Sequence, residues 1–261
     1  MKNNNKQFGA YLTGLTGRVV DLTKVVGETH HGIQGHWETR FEQTKPSSDP
    51  YVATGIKASA HLIGTHVDKW WHRWAKEWEQ NPRKFKGKKW TKENGILYPD
   101  GVKDADFPEK CLSFCYVLNL TKKKVGGRFD PPSEAMYWDG KVQDIVIKQQ
   151  FNALRKKFLP PKGMVSAVLL VSGSTWRPEV GVEAVKYLIS KGIMVIATDV
   201  TLTFVPGMVH DLLQPGVIFV ESLVNTMPVV DDEVVGLWVQ PLKLVGREAA
   251  PANVYAIKGL R

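Results

Sequence analysis

Short apolar runs separated by turn-forming breaks dominate the carboxyl half of the chain. Met164 to Val171, Ile193 to Asp199 and Val217 to Glu221 are such runs, the pattern of strands buried on both faces. Between the first two, Pro178 to Lys191 reads as a helix, with Pro near its first turn and Gly192 at its end. Together they predict a right-handed βαβ unit. Val234 to Leu244 and Val254 to Lys258 predict further strands. Upstream, Ile145, Ile147, Phe151, Leu154 and Phe158 approach helical spacing, and Pro160, Pro161 and Gly163 close that helix over Gln143 to Phe158. Arg18 to Thr23 reads as an opening strand, and Glu28 to Asp49, with turn composition and no sustained period, as a long ordered loop. A further helix is predicted to begin at Asp68 and to end before Asn81 and Pro82, with Lys84 to Gly101 an insertion. No repeat and no linker interrupts the pattern, so residues 1–261 are expected to form a single α/β domain.

Composition narrows the class. At 261 residues, 43% hydrophobic and 23% charged, the chain can bury a sizeable core, which excludes a disordered chain or a small disulfide scaffold. The apolar runs fall far short of the roughly 18 residues that cross a bilayer, so no membrane span is expected. The amino end lacks the uninterrupted apolar stretch of a secretion signal, and a cytoplasmic protein is the expectation. Cys111 and Cys115 have no second pair to complete a thiolate zinc site and read as buried small hydrophobes. The net charge of +9 is concentrated at residues 69–92, where nine basic residues face only Glu77 and Glu79 and five of the nine tryptophans lie. Basic residues among aromatics are one way to hold nucleic acid. However, Trp70, Trp74 and Trp78 recur every fourth residue, the stripe of an amphipathic helix packed on a core, so nucleic acid is not the expected partner.

Six of the seven histidines precede residue 73, and the densest polar cluster runs from His61 through His66 and Asp68 to His72. Residues two apart in a strand share a face, so His66 and Asp68 can offer an imidazole nitrogen and a carboxylate oxygen to one divalent cation, with a hydrogen-bonded pair as the structural alternative. His72, one helical turn beyond Asp68, can stand over the same spot. No G-x-S-x-G elbow, P-loop or dinucleotide glycine motif is present, which removes the main support for serine hydrolase, NTPase and nicotinamide enzyme chemistry.

Gly64-Thr65-His66-Val67-Asp68 followed by His72 resembles the G-T-H-x-D-x-x-x-H signature of the cyclase family of metal-dependent hydrolases, which includes kynurenine formamidase, isatin hydrolase and trans-dienelactone hydrolase. Arg18 to Thr23 resembles the family's opening strand and Gly173 to Trp176 its strand-end T-G-W turn. His210 to Leu213, Val217 to Asn225 and Gln240 to Gly246 resemble its H-x-L-L, E-x-L-x-N and P-x-K-x-x-G series in the same order. The resemblance implies a swivelling β/β/α fold with a mixed sheet, a homo-oligomer (dimer or tetramer), and bound zinc or manganese. It places His66, Asp68, His210 and Glu221 at metal-ligand positions and His72 at the general acid/base position. The implied activity is hydrolysis of an amide, lactam or lactone in a small, aromatic or anionic substrate.

Two departures stand out. Leu62 occupies the position, four residues before His66, of a further histidine ligand; neighbouring His61 reaches the metal only if a bulge near Gly64 re-aims it. Trp70 replaces a proline, and with Trp71 and Trp74 it is expected to wall the substrate pocket with indole rings. The missing histidine at Leu62, together with the excess of nine basic over two acidic residues at 69–92, motivates a second reading: a catalytically silent member of the fold that binds a polyanion or a protein partner through residues 69–92.

Overall fold

The computed structural model describes residues 19–24, 40–44, 53–57, 64–68, 90–93, 96–99, 112–125, 140–142, 144–173, 178–199, 212, 216–242 and 249–259. In chain order the strands are β1 (Val19–Asp21), β2 (Arg40–Thr44), β3 (Ala53–Lys57), β4 (His66–Asp68), β5 (Trp90–Glu93), β6 (Ile96–Pro99) and β7 (Leu112–Asn119). The short helix α1 (Lys122–Val125) follows, then β8 (Gly140–Val142), helix α2 (Asp144–Lys157), β9 (Val165–Val171), β10 (Pro178–Val180) and helix α3 (Val182–Ser190). The chain continues through β11 (Ile193–Thr198), β12 (Ile218–Glu221), a 3-10 turn (Met227–Val229), β13 (Val234–Pro241) and β14 (Ala249–Ile257). No helix among the described residues is long and apolar enough to cross a membrane.

The main sheet runs β1-β14-β13-β7-β9-β11-β12-β4, and β4 also pairs with β14. That second pairing closes seven strands into a barrel. Strands β7, β9, β11 and β12 are mutually parallel, whereas β13, β14 and β4 run antiparallel to their neighbours. The two-residue period of each strand sorts its side chains into two cores. Val67, Cys115, Val117, Ala167, Leu169, Val195, Ala197, Val220, Leu237 and Val254 belong to one, drawn from all seven strands and therefore filling the barrel. Phe114, Tyr116, Val168, Leu170, Ile196 and Phe219 face outward and pack with Ile147 and Phe151 of α2 and Ala184, Val185 and Leu188 of α3.

The apolar runs of the carboxyl half become β9, β11, β12 and β13, close to their expected limits, and β9 and β11 are adjacent and parallel as a βαβ unit requires. Several expectations are corrected. The helix expected from Pro178 begins at Val182, because residues 178–180 pair with β8 as a short parallel strand first. Residues 112–119, for which the pattern predicted no element, form a central strand, since an unbroken Phe114 to Leu118 run buried on both faces carries no alternation. The last strand starts at Ala249 rather than Val254, passing through Pro251, whose missing N–H a propensity reading penalises. The expected loop of residues 28–49 contains β2, paired with β3, and the insertion at 84–101 contains the β5–β6 hairpin. Asp68 ends a strand, and the helix expected to follow it lies outside the described residues.

Candidate metal centre

Along β14, residues 249–251 pair with β4 and residues 255–257 pair with β1, both antiparallel. Leu22 N–H donates to the Val254 carbonyl at 2.8 Å and Ala252 N–H to the Thr65 carbonyl at 3.0 Å. Residues 19–24 and 65–68 thus lie end to end along one strand edge, and the chain leaves at Lys24 and returns at Thr65. Gly64 makes the return at φ +108, a conformation L side chains rarely adopt.

His66 is the first residue of the re-entered strand. It stands directly opposite Glu221 of β12, while Asp68 stands opposite Phe219. Val67 points into the barrel, so His66 and Asp68 point outward, on the face shared by Phe219 and Glu221. All three candidate ligands are buried, at 4%, 1% and 2% exposure for His66, Asp68 and Glu221. Their ligand atoms lie within 4.8 Å of one another.

The imidazole is oriented by its own turn. Nδ1 lies 2.9 Å from the Gly64 carbonyl oxygen, which can only accept, so Nδ1 carries the proton and donates. Nε2 then presents a lone pair 3.8 Å from Oδ1 of Asp68 and 3.9 Å from Oε2 of Glu221. These separations are too long for direct hydrogen bonds. Atoms each about 2.1 Å from a shared zinc ion stand roughly 3–4 Å apart, so the spacing fits a common cation. The chemistry fits too: two carboxylates removed from water repel, and a dication between them and a neutral imidazole offsets that burial.

Glu221 is followed by a strained turn. Ser222 takes φ 61 and Asn225 φ 53, both in the left-handed region for residues with a Cβ. The turn is held from several sides: the Thr65 hydroxyl donates to the Ser222 carbonyl at 2.9 Å, and Val224 N–H donates to the Leu22 carbonyl at 3.1 Å. The Asn225 amide nitrogen donates to the Asp21 carbonyl at 3.1 Å. Beside it opens a cleft of about 320 Å³ lined by Thr23, Lys24, Thr65, Gln240, Pro251 and Asn253, among others. Pro251 is the ladder partner of His66 and Thr65 precedes it, so the cleft lies along the strand that carries His66, although none of the three candidate ligands lines it.

The structure therefore brings together three of the residues singled out in the sequence: His66, Asp68 and Glu221. His61, Leu62, Trp70, Trp71, His72, Trp74 and His210, and residues 69–89 of the basic segment, lie outside the described residues. Cys115 is fully buried in the barrel, where burial pushes its thiol far above the usual range and keeps it from serving as a thiolate ligand. The roles of Thr65, Ser222 and the cleft are not legible in the sequence: Thr65 stands inside the G-T-H motif, but its hydroxyl bonds Lys24 and Ser222, both remote in the chain.

No family model matches the sequence, and no curated protein matches it. Solved structures do match. An isatin hydrolase bound to the product analogue thioisatinate superposes with a TM-score of 0.64 at 18% identity, covering 98% of this chain and 99% of that one. Isatin hydrolase A from Ralstonia solanacearum gives 0.64 at 16% identity, over 98% and 97%. A predicted metal-dependent hydrolase from Bacillus stearothermophilus gives 0.55 at 16%, over 93% and 98%. The chain has the cyclase-like fold. At these identities the likeness is one of architecture, and it agrees with the mixed-sheet α/β fold that the motif series implies, the closure into a barrel being seen only in the structure. In the cyclase-like frame of this chain, the strand order alone places β4 beside β12 and so joins motifs more than 150 positions apart.

Proposed function

We propose that this protein is a metal-dependent hydrolase that opens an amide or lactam C–N bond, or a lactone C–O bond, in a small aromatic or anionic molecule. The observation that carries the reading is the buried convergence of His66 Nε2 with the Asp68 and Glu221 carboxylates, with the imidazole tautomer set by Gly64. Zinc or manganese is the cation this mixed nitrogen and oxygen set suits. Bound there, it would polarise the substrate carbonyl and lower the pKa of water.

The chain's own residues do the rest. Asp68 and Glu221 supply the negative charge that retains the cation, and His66 supplies a neutral lone pair without adding charge. The cleft at Thr65, with hydroxyl, amide and lysine side chains along its wall, suits the polar end of a small molecule. By the resemblance, His210 completes the ligand set and His72 moves the proton to the leaving nitrogen or oxygen. Trp70, Trp71 and Trp74 would stack on a flat substrate.

Elemental analysis of the purified full chain should find zinc or manganese that is absent from Asp68→Ala, and the loaded wild type should open isatin, the lactam named for two of the fold neighbours, or a related lactam or lactone. Equal metal content in wild type and Asp68→Ala would overturn the assignment.

A further inference from the structure

The cation site is assembled from two strand ends with no covalent proximity, and Thr65 is where they are tied. Its side chain is 2% exposed and fully engaged: the hydroxyl accepts from Lys24 N–H at 2.8 Å and donates to the Ser222 carbonyl at 2.9 Å. Thr65 precedes His66, and Ser222 follows Glu221. One hydroxyl thus couples the backbone beside one candidate ligand to the backbone beside another, and anchors both to the end of the opening strand segment.

The ladder alone fixes the register of His66 opposite Glu221. It does not fix the distance between their side-chain ends, because β4 is only three residues long and Gly64, just before it, is conformationally free. The Thr65 bonds remove that freedom on the Gly64 side. On the other strand, the left-handed Ser222 turns its carbonyl toward the Thr65 hydroxyl, a conformation that costs roughly 1 kcal/mol or more and needs a compensating contact. The Gly64 carbonyl that orients the imidazole belongs to the same pinned turn. Loss of the hydroxyl would release the His66 backbone, its orienting carbonyl and the start of the turn after Glu221 together.

We propose that Thr65 is a positioning residue for the cation: its hydroxyl, bonded between Lys24 and Ser222, holds the strand ends carrying His66 and Glu221 at the separation that one divalent ion requires. This rests on the cation reading above. Outer partners of metal ligands typically change affinity by roughly 10–100-fold when removed, and the same range is expected here.

The test is calorimetric titration of the chelator-treated full chain with Zn2+ for wild type, Thr65→Val and Thr65→Ser. Thr65→Val, which keeps the shape and removes the hydroxyl, should weaken Zn2+ binding by about 10–100-fold, and Thr65→Ser should restore it. A purely structural role would instead lower the thermal midpoint of the metal-free protein while leaving Zn2+ affinity alone. By reciprocity, Zn2+ should also slow hydrogen exchange of the Lys24 amide in the wild type, a measurement that needs no variant to fold. Equal Zn2+ affinity in Thr65→Val and wild type, or unchanged exchange at Lys24, would overturn the proposal. A wild type that binds neither Zn2+ nor Mn2+ would overturn the cation reading itself, and this inference with it.

Discussion

Asp199 is a buried carboxylate engaged in structure rather than in the candidate centre. It accepts from Ser172 N–H at 2.9 Å, from the Ser172 hydroxyl at 2.8 Å, from Gly173 N–H at 3.0 Å and from the Thr226 hydroxyl at 2.7 Å. The bonds join the ends of β9 and β11 to the segment after Glu221, so this side chain shapes the turn behind a candidate ligand without touching it. Asp199→Asn would replace one carboxylate oxygen by an amide N–H, which would stand against the buried donors that oxygen now accepts from. The expected loss is about 1–3 kcal/mol, read as a lower urea midpoint at unchanged slope; a variant as stable as wild type would show that the network is dispensable. At this scale the sequence was informative where chemistry is local: H-x-D spacing placed His66 and Asp68 on one face, as the strand period requires. It was silent on Thr65 and Asp199, whose partners are remote in the chain.

Strands β8 and β10 are short and parallel, and each feeds a helix, so α2 and α3 start side by side. Asp144 opens α2, and Gly181 caps α3 in an extended conformation. A Cβ on Gly181 would lie 2.0 Å from Asp144 Oδ1, so the missing side chain makes room for the carboxylate. Negative charge there favours both helix N-termini. Gly181→Ala should therefore cost about 1 kcal/mol by displacing it, and nearly nothing in an Asp144→Ala background. A double-mutant cycle on thermal midpoints checks this, and additive effects would refute it. Helix α2 was readable from Ile147, Phe151 and Leu154, whereas the entry to α3 was not, because Pro178 is an ordinary helix-start residue and only pairing with β8 makes it a strand. Buried on both faces, β7 escaped for want of alternation.

For the whole molecule, closure is the decisive event. β4 is the only strand that joins β12 to β14 in the main sheet among the described residues, and it does so with three residues on each side. So few ladder bonds make this seam the weak point of the ring. A cation shared by His66 and Asp68 of β4 with Glu221 of β12 would reinforce it. Saturation at a hundredfold excess over the dissociation constant adds about 2.7 kcal/mol, so removal by chelator should lower the thermal midpoint by roughly 5–10 °C, with hydrogen exchange accelerated first at β4; a midpoint indifferent to chelation would argue against metal across the seam. By itself the sequence determined most of the strand and helix content of the carboxyl half, β8, β10 and the start of β14 excepted, and the shared face of His66 and Asp68, because periodicity and i, i+2 spacing are local properties of the backbone. The tertiary structure alone decided that the sheet closes, that Glu221 faces His66, and that one hydroxyl ties their strands together. Those are pairings between segments more than 150 residues apart, and they follow from which strand edges meet rather than from any pattern along one strand.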